Sequence, residues 1–232
     1  MQHFDERSSV HICAISTQFA GFEGEDDGTR EFLRGALERG DIDKLVDSPD
    51  GMTEVEARGK ALTWLAEQGV DFLHLVDSDE LYDEESIKRI YDVVAINEWV
   101  DWFRVSLKNY VLDMKTYLAE PFCPPRIFRV RPNRYSNLRP ALFTADNDIG
   151  YRDKGDMDSG TVWPQTVLAS QTISANWVWV PHITWQNDLR SKQKTEYQTR
   201  RWGNVCSFSW DDAQGGLIFN PVLPKPKVIH ES

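Results

Sequence analysis

Residues 70–80 read Val70-Asp71-Phe72-Leu73-His74-Leu75-Val76-Asp77-Ser78-Asp79-Glu80, an apolar run that ends in three carboxylates within four positions. Phe72, Leu73, Leu75 and Val76 form a run of the length that fills a strand buried on both faces. In open α/β sheets ligands gather beyond the carboxyl ends of strands, and Asp77 and Asp79 then fall at such an end. Being two apart, they would point to the same side of an extended backbone. Two carboxylates held together repel unless a cation sits between them. A hard divalent ion shared with phosphate oxygens meets that need. The plainer reading is an acidic loop in which Asp83 or Glu84 caps the next helix. That helix is predicted from about Glu84, with Ile87, Ile90, Val93 and Val94 at helical spacing.

Upstream, residues 10–17 (VHICAIST) predict a first buried strand. Residues 18–28 predict an acidic loop bearing several glycines, and residues 29–39 a helix with Phe32, Leu33, Ala36 and Leu37 on one face. A short second strand is predicted at residues 44–46, followed by a turn at Pro49-Asp50-Gly51. Thr53 and Glu56 match a capping box for a helix that runs to about Gln68 and stops at Gly69. Alternation of this kind predicts an α/β fold whose sheet is mostly parallel and flanked by helices. Downstream, residues 99–112 and 126–130 predict strands, with Pro121, Pro124 and Pro125 between them. Residues 139–160 predict a loop rich in Asp and Gly, and residues 177–181 a strand ending at His182. A polar helix is predicted over residues 189–202 and an extended tail from Asn220.

The 232 residues fit one domain. No run approaches the roughly 20 apolar residues of a membrane span. Residues 1–9 are polar and mixed in charge, which predicts no signal peptide and, with three widely spaced cysteines (Cys13, Cys123, Cys206), a cytoplasmic protein with reduced thiols. The net charge of −11 disfavours non-specific nucleic-acid binding. Arg126, Arg129, Arg131, Arg134 and Arg139 nevertheless crowd one segment and would be the contact surface for a polymeric acceptor.

Three blocks resemble a known pattern. Ala57-Arg58-Gly59-Lys60-Ala61-Leu62, the strand after Gly69, and Asp77-Ser78-Asp79-Glu80 look like the nucleotide-sugar half of family 2-like glycosyltransferases with the GT-A (Rossmann-like) fold. Gly59 stands where that family usually has Asn. Pro125-Arg126-Ile127-Phe128-Arg129 is similar to the family's Arg-x-Phe-Arg stretch. His182-Ile183-Thr184-Trp185, followed by Lys192, Lys194 and Tyr197, looks like its late His and Lys-bearing helix. The His-Glu pair that related members carry after the Arg-x-Phe-Arg stretch is absent from residues 137–144.

The resemblance implies one GT-A-type domain. Residues 8–98 would form the nucleotide-sugar half, residues 99–203 the acceptor side and residues 204–232 a tail. It implies a metal-dependent glycosyltransferase that uses Mn²⁺ or Mg²⁺ and a UDP- or GDP-sugar, with a glycan, protein or modified nucleic acid as acceptor. Asp77, Asp79 and His182 would ligate the metal; Arg58, Asp77, Ser78 and Lys192 would meet the donor. Asp156 and Asp158 are the candidates for the base that takes the acceptor proton. Each has a plainer reading: a satisfied structural His, a salt bridge from Arg58 to Glu54, a solvated helix face for Lys192, and core packing for the tryptophans. The alternatives are a non-catalytic domain of the same fold that binds carbohydrate or a partner, and a nucleotidyltransferase. The acidic lining of residues 23–27 disfavours the latter.

Overall fold

The computed structural model describes residues 10–19, 28–52, 54–112, 114–120, 122–129, 170–186, 192, 195–196, 208–214, 216–219 and 227–230. In chain order the elements are β1 (Cys13–Phe19), α1 (Thr29–Arg39), β2 (Lys44–Met52), α2 (Glu54–Glu67), β3 (Phe72–His74), α3 (Glu84–Ile96), β4 (Trp102–Val105), β5 (Leu107–Leu112), β6 (Thr116–Leu118), β7 (Pro125–Arg129), β8 (Ser170–Ile173), β9 (Val180–Gln186), β10 (Phe208–Asp211), β11 (Gly216–Phe219) and β12 (Val228–His230). The chain is α/β and folds as two compact units with interleaved segments. One comprises residues 1–75, 94–104 and 125–171; the other comprises residues 76–93, 105–124 and 172–232.

In the first unit β1 and β2 pair in parallel. Their register runs from Cys13↔Lys44 to Thr17↔Ser48 and then jumps to Phe19↔Met52. The expected turn at Pro49-Asp50-Gly51 is therefore absorbed as an irregularity within a longer strand. Helix α2 presents Ala57 and Ala61 to Val46 and Met52, while its Leu62 and Leu65 pack with Leu73, Trp102 and Phe128. Cys13 touches both clusters, and burial raises its thiol pKa to about 11, which favours the protonated thiol. Gly69, at φ 76°, adopts the left-handed conformation that ends α2 and releases the chain into β3.

The sheet that receives β3 has the order β3-β7-β4-β8. Both β3 and β4 run antiparallel to β7, with Leu73↔Phe128 and Trp102↔Phe128 as partners. This overturns the expected mostly parallel sheet: β1–β2 and β5–β9 are parallel, whereas β3–β7, β4–β7, β5–β6, β6–β12 and β10–β11 are antiparallel. The physical reason is that β3 pairs with a strand more than fifty residues later. An apolar run is buried equally well against a neighbour of either direction, so its composition does not encode orientation.

The arginine-rich segment is also corrected in part. Arg126 is buried, and Arg129 donates to the carbonyls of Val100 at 3.1 Å, Asn97 at 3.3 Å and Val94 at 3.4 Å. Its guanidinium carbon lies 4.4 Å from the Phe72 ring centroid. Both side chains serve the interior of this unit rather than an acceptor surface. Arg131, Arg134 and Arg139 lie outside the described residues.

In the second unit the sheet order is β12-β6-β5-β9. The expected continuous strand over residues 99–112 breaks at Ser106, whose hydroxyl donates to the carbonyl of Ile173 at 2.7 Å. Beyond the break, β5 lies parallel to β9 with Leu107↔Val180 and Asn109↔His182 in register. On the side of β5 that carries Lys108 and Tyr110, the ammonium of Lys108 lies 4.2 to 5.3 Å from the ring centroids of Tyr117, Tyr110 and Trp179. These cation–π contacts tie three strand regions together. Residues 228–230 of the expected loose tail pair with β6, and the Thr116 hydroxyl meets His230 Nδ1 at 2.8 Å. Helix α3 is capped as anticipated: the Ser86 N–H donates to Asp83 Oδ1 at 2.6 Å, and this bond lowers the Asp83 pKa. None of the described helices is long and apolar enough to cross a membrane.

Two stability outcomes follow from the first unit. Burial, reinforced by the Arg126 guanidinium, lowers the His74 pKa to about 4. The folded form resists the proton that the unfolded chain takes up, so this contribution is complete above the ordinary imidazole pKa of about 6.5 and is lost as pH falls toward 4. His74→Gln should reduce the loss of stability between pH 7 and about pH 4.5 by about 2.5 kcal/mol relative to wild type, measured by urea denaturation. Identical slopes would disprove the assignment. Arg129→Leu should cost about 2–3 kcal/mol in the same assay, because it strips a charged donor from partly buried carbonyls; a change within error would place those carbonyls in water.

Candidate functional site

The site belongs to the second unit. The N–H of Glu80 donates to the carbonyl of Asp77 at 3.0 Å, so residues 77–80 close a turn. The expectation of an extended Asp-x-Asp with both carboxylates on one side is therefore corrected. The stretch leaves the turn antiparallel to β9: the Ile183 N–H donates to Asp79 O and the Leu81 N–H to Pro181 O, both at 2.9 Å. Between those bonds Glu80 stands directly opposite His182. This is the narrow, non-hydrogen-bonded kind of pair, in which side chains approach most closely.

His182 was expected just beyond a strand at residues 177–181. It lies instead inside β9, because the N–H groups of Trp177 and Val178 both bond back to the carbonyl of Ser174, at 2.8 and 3.0 Å, and hold that stretch in a turn. The imidazole is buried and engaged at both nitrogens. Nδ1 hydrogen-bonds to the Oδ1 of Asn109, its register partner on β5. Nε2 faces the Asp79 carboxylate, with 3.4 Å from Nε2 to Oδ2. Asp79 keeps 26% of its side chain exposed, so the pair opens to solvent on the carboxylate side. Glu80 is buried, and its carboxylate accepts the Tyr82 hydroxyl at 2.9 Å.

Of the residues singled out in the sequence, Asp79 and His182 come together although 103 positions separate them. Asp77 supplies the carbonyl that closes the turn, and Ser78 is exposed at its tip. Lys192 donates to Asp212 at 2.6 Å, a bond that raises the lysine pKa. Arg58 belongs to the first unit and is buried on α2, with its Nη1 shielded from solvent. Asp156 and Asp158 lie outside the described residues, as do Lys194, Tyr197 and most of residues 189–202. Asn109 and Tyr82 were not anticipated. Asn109 did carry a signal, since Asn is depleted in strand interiors and this one interrupts an apolar run.

The donor set can be tested against a divalent ion. Two metal bonds of roughly 2.1 Å meeting at angles between square and tetrahedral place their donor atoms roughly 3.0–3.4 Å apart, which matches the Asp79–His182 separation. Among the described residues no three His, Cys, Asp or Glu side chains group as a metal site. The pair would therefore supply two ligands and leave the remaining positions to water and phosphate oxygens, the arrangement common for ions bound with nucleotides. Comparison with protein-family models, curated proteins and solved structures gave no match.

Tyr82→Phe isolates the structural contribution of the neighbouring buried carboxylate. It should lower stability by about 1–2 kcal/mol, since Glu80 loses a donor it cannot replace from water. Thermal denaturation unchanged from wild type would show that Glu80 does not depend on this bond.

Proposed function

We propose that this protein is a metal-dependent glycosyltransferase of GT-A type that moves a sugar from a nucleotide diphosphate donor to an acceptor hydroxyl. The observation that carries the reading is the convergence of Asp79 and His182, two of the three residues (with Asp77) that the resemblance names as ligands of one ion. Asp79 would hold the ion through its solvent-facing carboxylate and His182 through Nε2. An ion there would neutralise the charge that develops on the departing nucleoside diphosphate.

The chain's own groups set the geometry of such a site. The two backbone bonds between residues 79–81 and β9 hold the Asp79 main chain against that of Ile183. A ligand fixed in this way loses little freedom when it binds. The partly exposed Asp79 carboxylate leaves an approach for a diphosphate, while the buried His182 imidazole would offer its nitrogen from the interior side. UDP- and GDP-sugars are the proposed donors, with a glycan, protein or modified nucleic acid as acceptor.

Incubation of the purified protein with Mn²⁺ and a panel of UDP-, GDP-, CMP- and dTDP-sugars should reveal binding and slow hydrolysis of at least one donor. Asp79→Ala should abolish the metal-dependent binding and leave circular dichroism unchanged. Donor binding without turnover on any acceptor would favour the non-catalytic domain. No binding to any member of the panel would overturn the reading.

A further inference from the structure

Asn109 is buried, lies on the strand beside β9, and shares a register position with His182. Neighbouring residues in register project to the same face of a sheet, so the amide reaches the imidazole without a loop or a water between them. Its Oδ1 is the atom that meets Nδ1. An amide oxygen accepts, so in this pairing Nδ1 donates and Nε2 is the ring nitrogen turned toward Asp79.

Nε2 lies 3.4 Å from an oxygen of the Asp79 carboxylate. A cation placed between an imidazole nitrogen and a carboxylate oxygen draws on both.

We propose that Asn109 is a positioning residue: it fixes the His182 ring so that Nε2 faces a divalent cation shared with Asp79, and thereby makes the site prefer a Mn²⁺-type ion over Mg²⁺. The proposal rests on the transferase reading for the presence of an ion, and it adds what determines the ion's identity. Mg²⁺ favours all-oxygen shells and sheds water reluctantly, whereas imidazole nitrogen suits first-row transition ions. A hydrogen-bond partner on the far nitrogen of a metal-binding His fixes its tautomer and orientation, and loss of such partners typically weakens metal affinity.

The experiment measures metal binding to the full chain, without donor or turnover, by calorimetry and Mn²⁺ electron paramagnetic resonance. Asn109→Leu keeps the branched side-chain skeleton and removes the acceptor. It should weaken Mn²⁺ binding by about 10–100-fold and shift Mg²⁺ binding by less than about threefold, because carboxylate and water bind that ion. Asn109→Asp keeps an acceptor oxygen and should retain wild-type Mn²⁺ affinity. If Asn109→Leu fails to fold, nitrogen-15 NMR of the wild-type protein decides: a His182 proton on Nδ1 supports the proposal, and one on Nε2 overturns it. Equal Mn²⁺ affinity in wild type and a folded Asn109→Leu also overturns it. The transferase reading survives that result if Asp79→Ala still abolishes binding. A wild-type protein that takes up no Mn²⁺ sinks both.

Discussion

The candidate site depends on a short antiparallel zip between residues 79–81 and β9. Two backbone hydrogen bonds flank the Glu80–His182 pair, and together they set Asp79 against the imidazole. Backbone bonds do this better than side-chain contacts, because each fixes main-chain position and so restricts every atom attached to it. Without the zip, the acidic turn would be a solvated loop before α3. With it, a carboxylate and an imidazole from distant parts of the sequence become neighbours.

Around that zip the second unit divides its labour between the two sides of one sheet. The side carrying Asn109 and His182 holds polar groups whose hydrogen bonds define orientation. The side carrying Lys108 and Tyr110 is tied by an ammonium among three aromatic rings. Lysine can occupy such a place because its stem packs as an apolar chain while its charge meets the negative faces of the rings. Strand alternation makes this separation possible, since adjacent residues of β5 serve opposite sides.

Several arginines of the first unit act as structural donors. Arg129 bonds carbonyls at and beyond the end of α3 and stacks on Phe72, Arg126 is buried within β7, and Arg30 and Arg34 both hold Asp47. An arginine run that looks like a binding surface in the sequence is thus partly a set of structural donors. Guanidinium suits that task, having several donors in a fixed plane and a weakly hydrated face.

Local physics was legible in the residues. The helix at 29–39 matches its expected limits, Gly69 ends α2, Asp83 caps α3, and apolar runs became β1, β3 and β7. These depend on periodicity and on caps within a few positions, which a sequence carries directly. The sequence also singled out Asp79 and His182, which the fold brings within 3.4 Å of each other. What only the tertiary structure decided was pairing: β3 with β7, the closing of residues 77–80 into a turn, the placement of His182 inside a strand, and the arrival of Asn109 beside it. Strand direction and register are set by which distant partner completes the hydrogen-bond ladder. That choice is made by the whole chain at once, and no local stretch of sequence contains it.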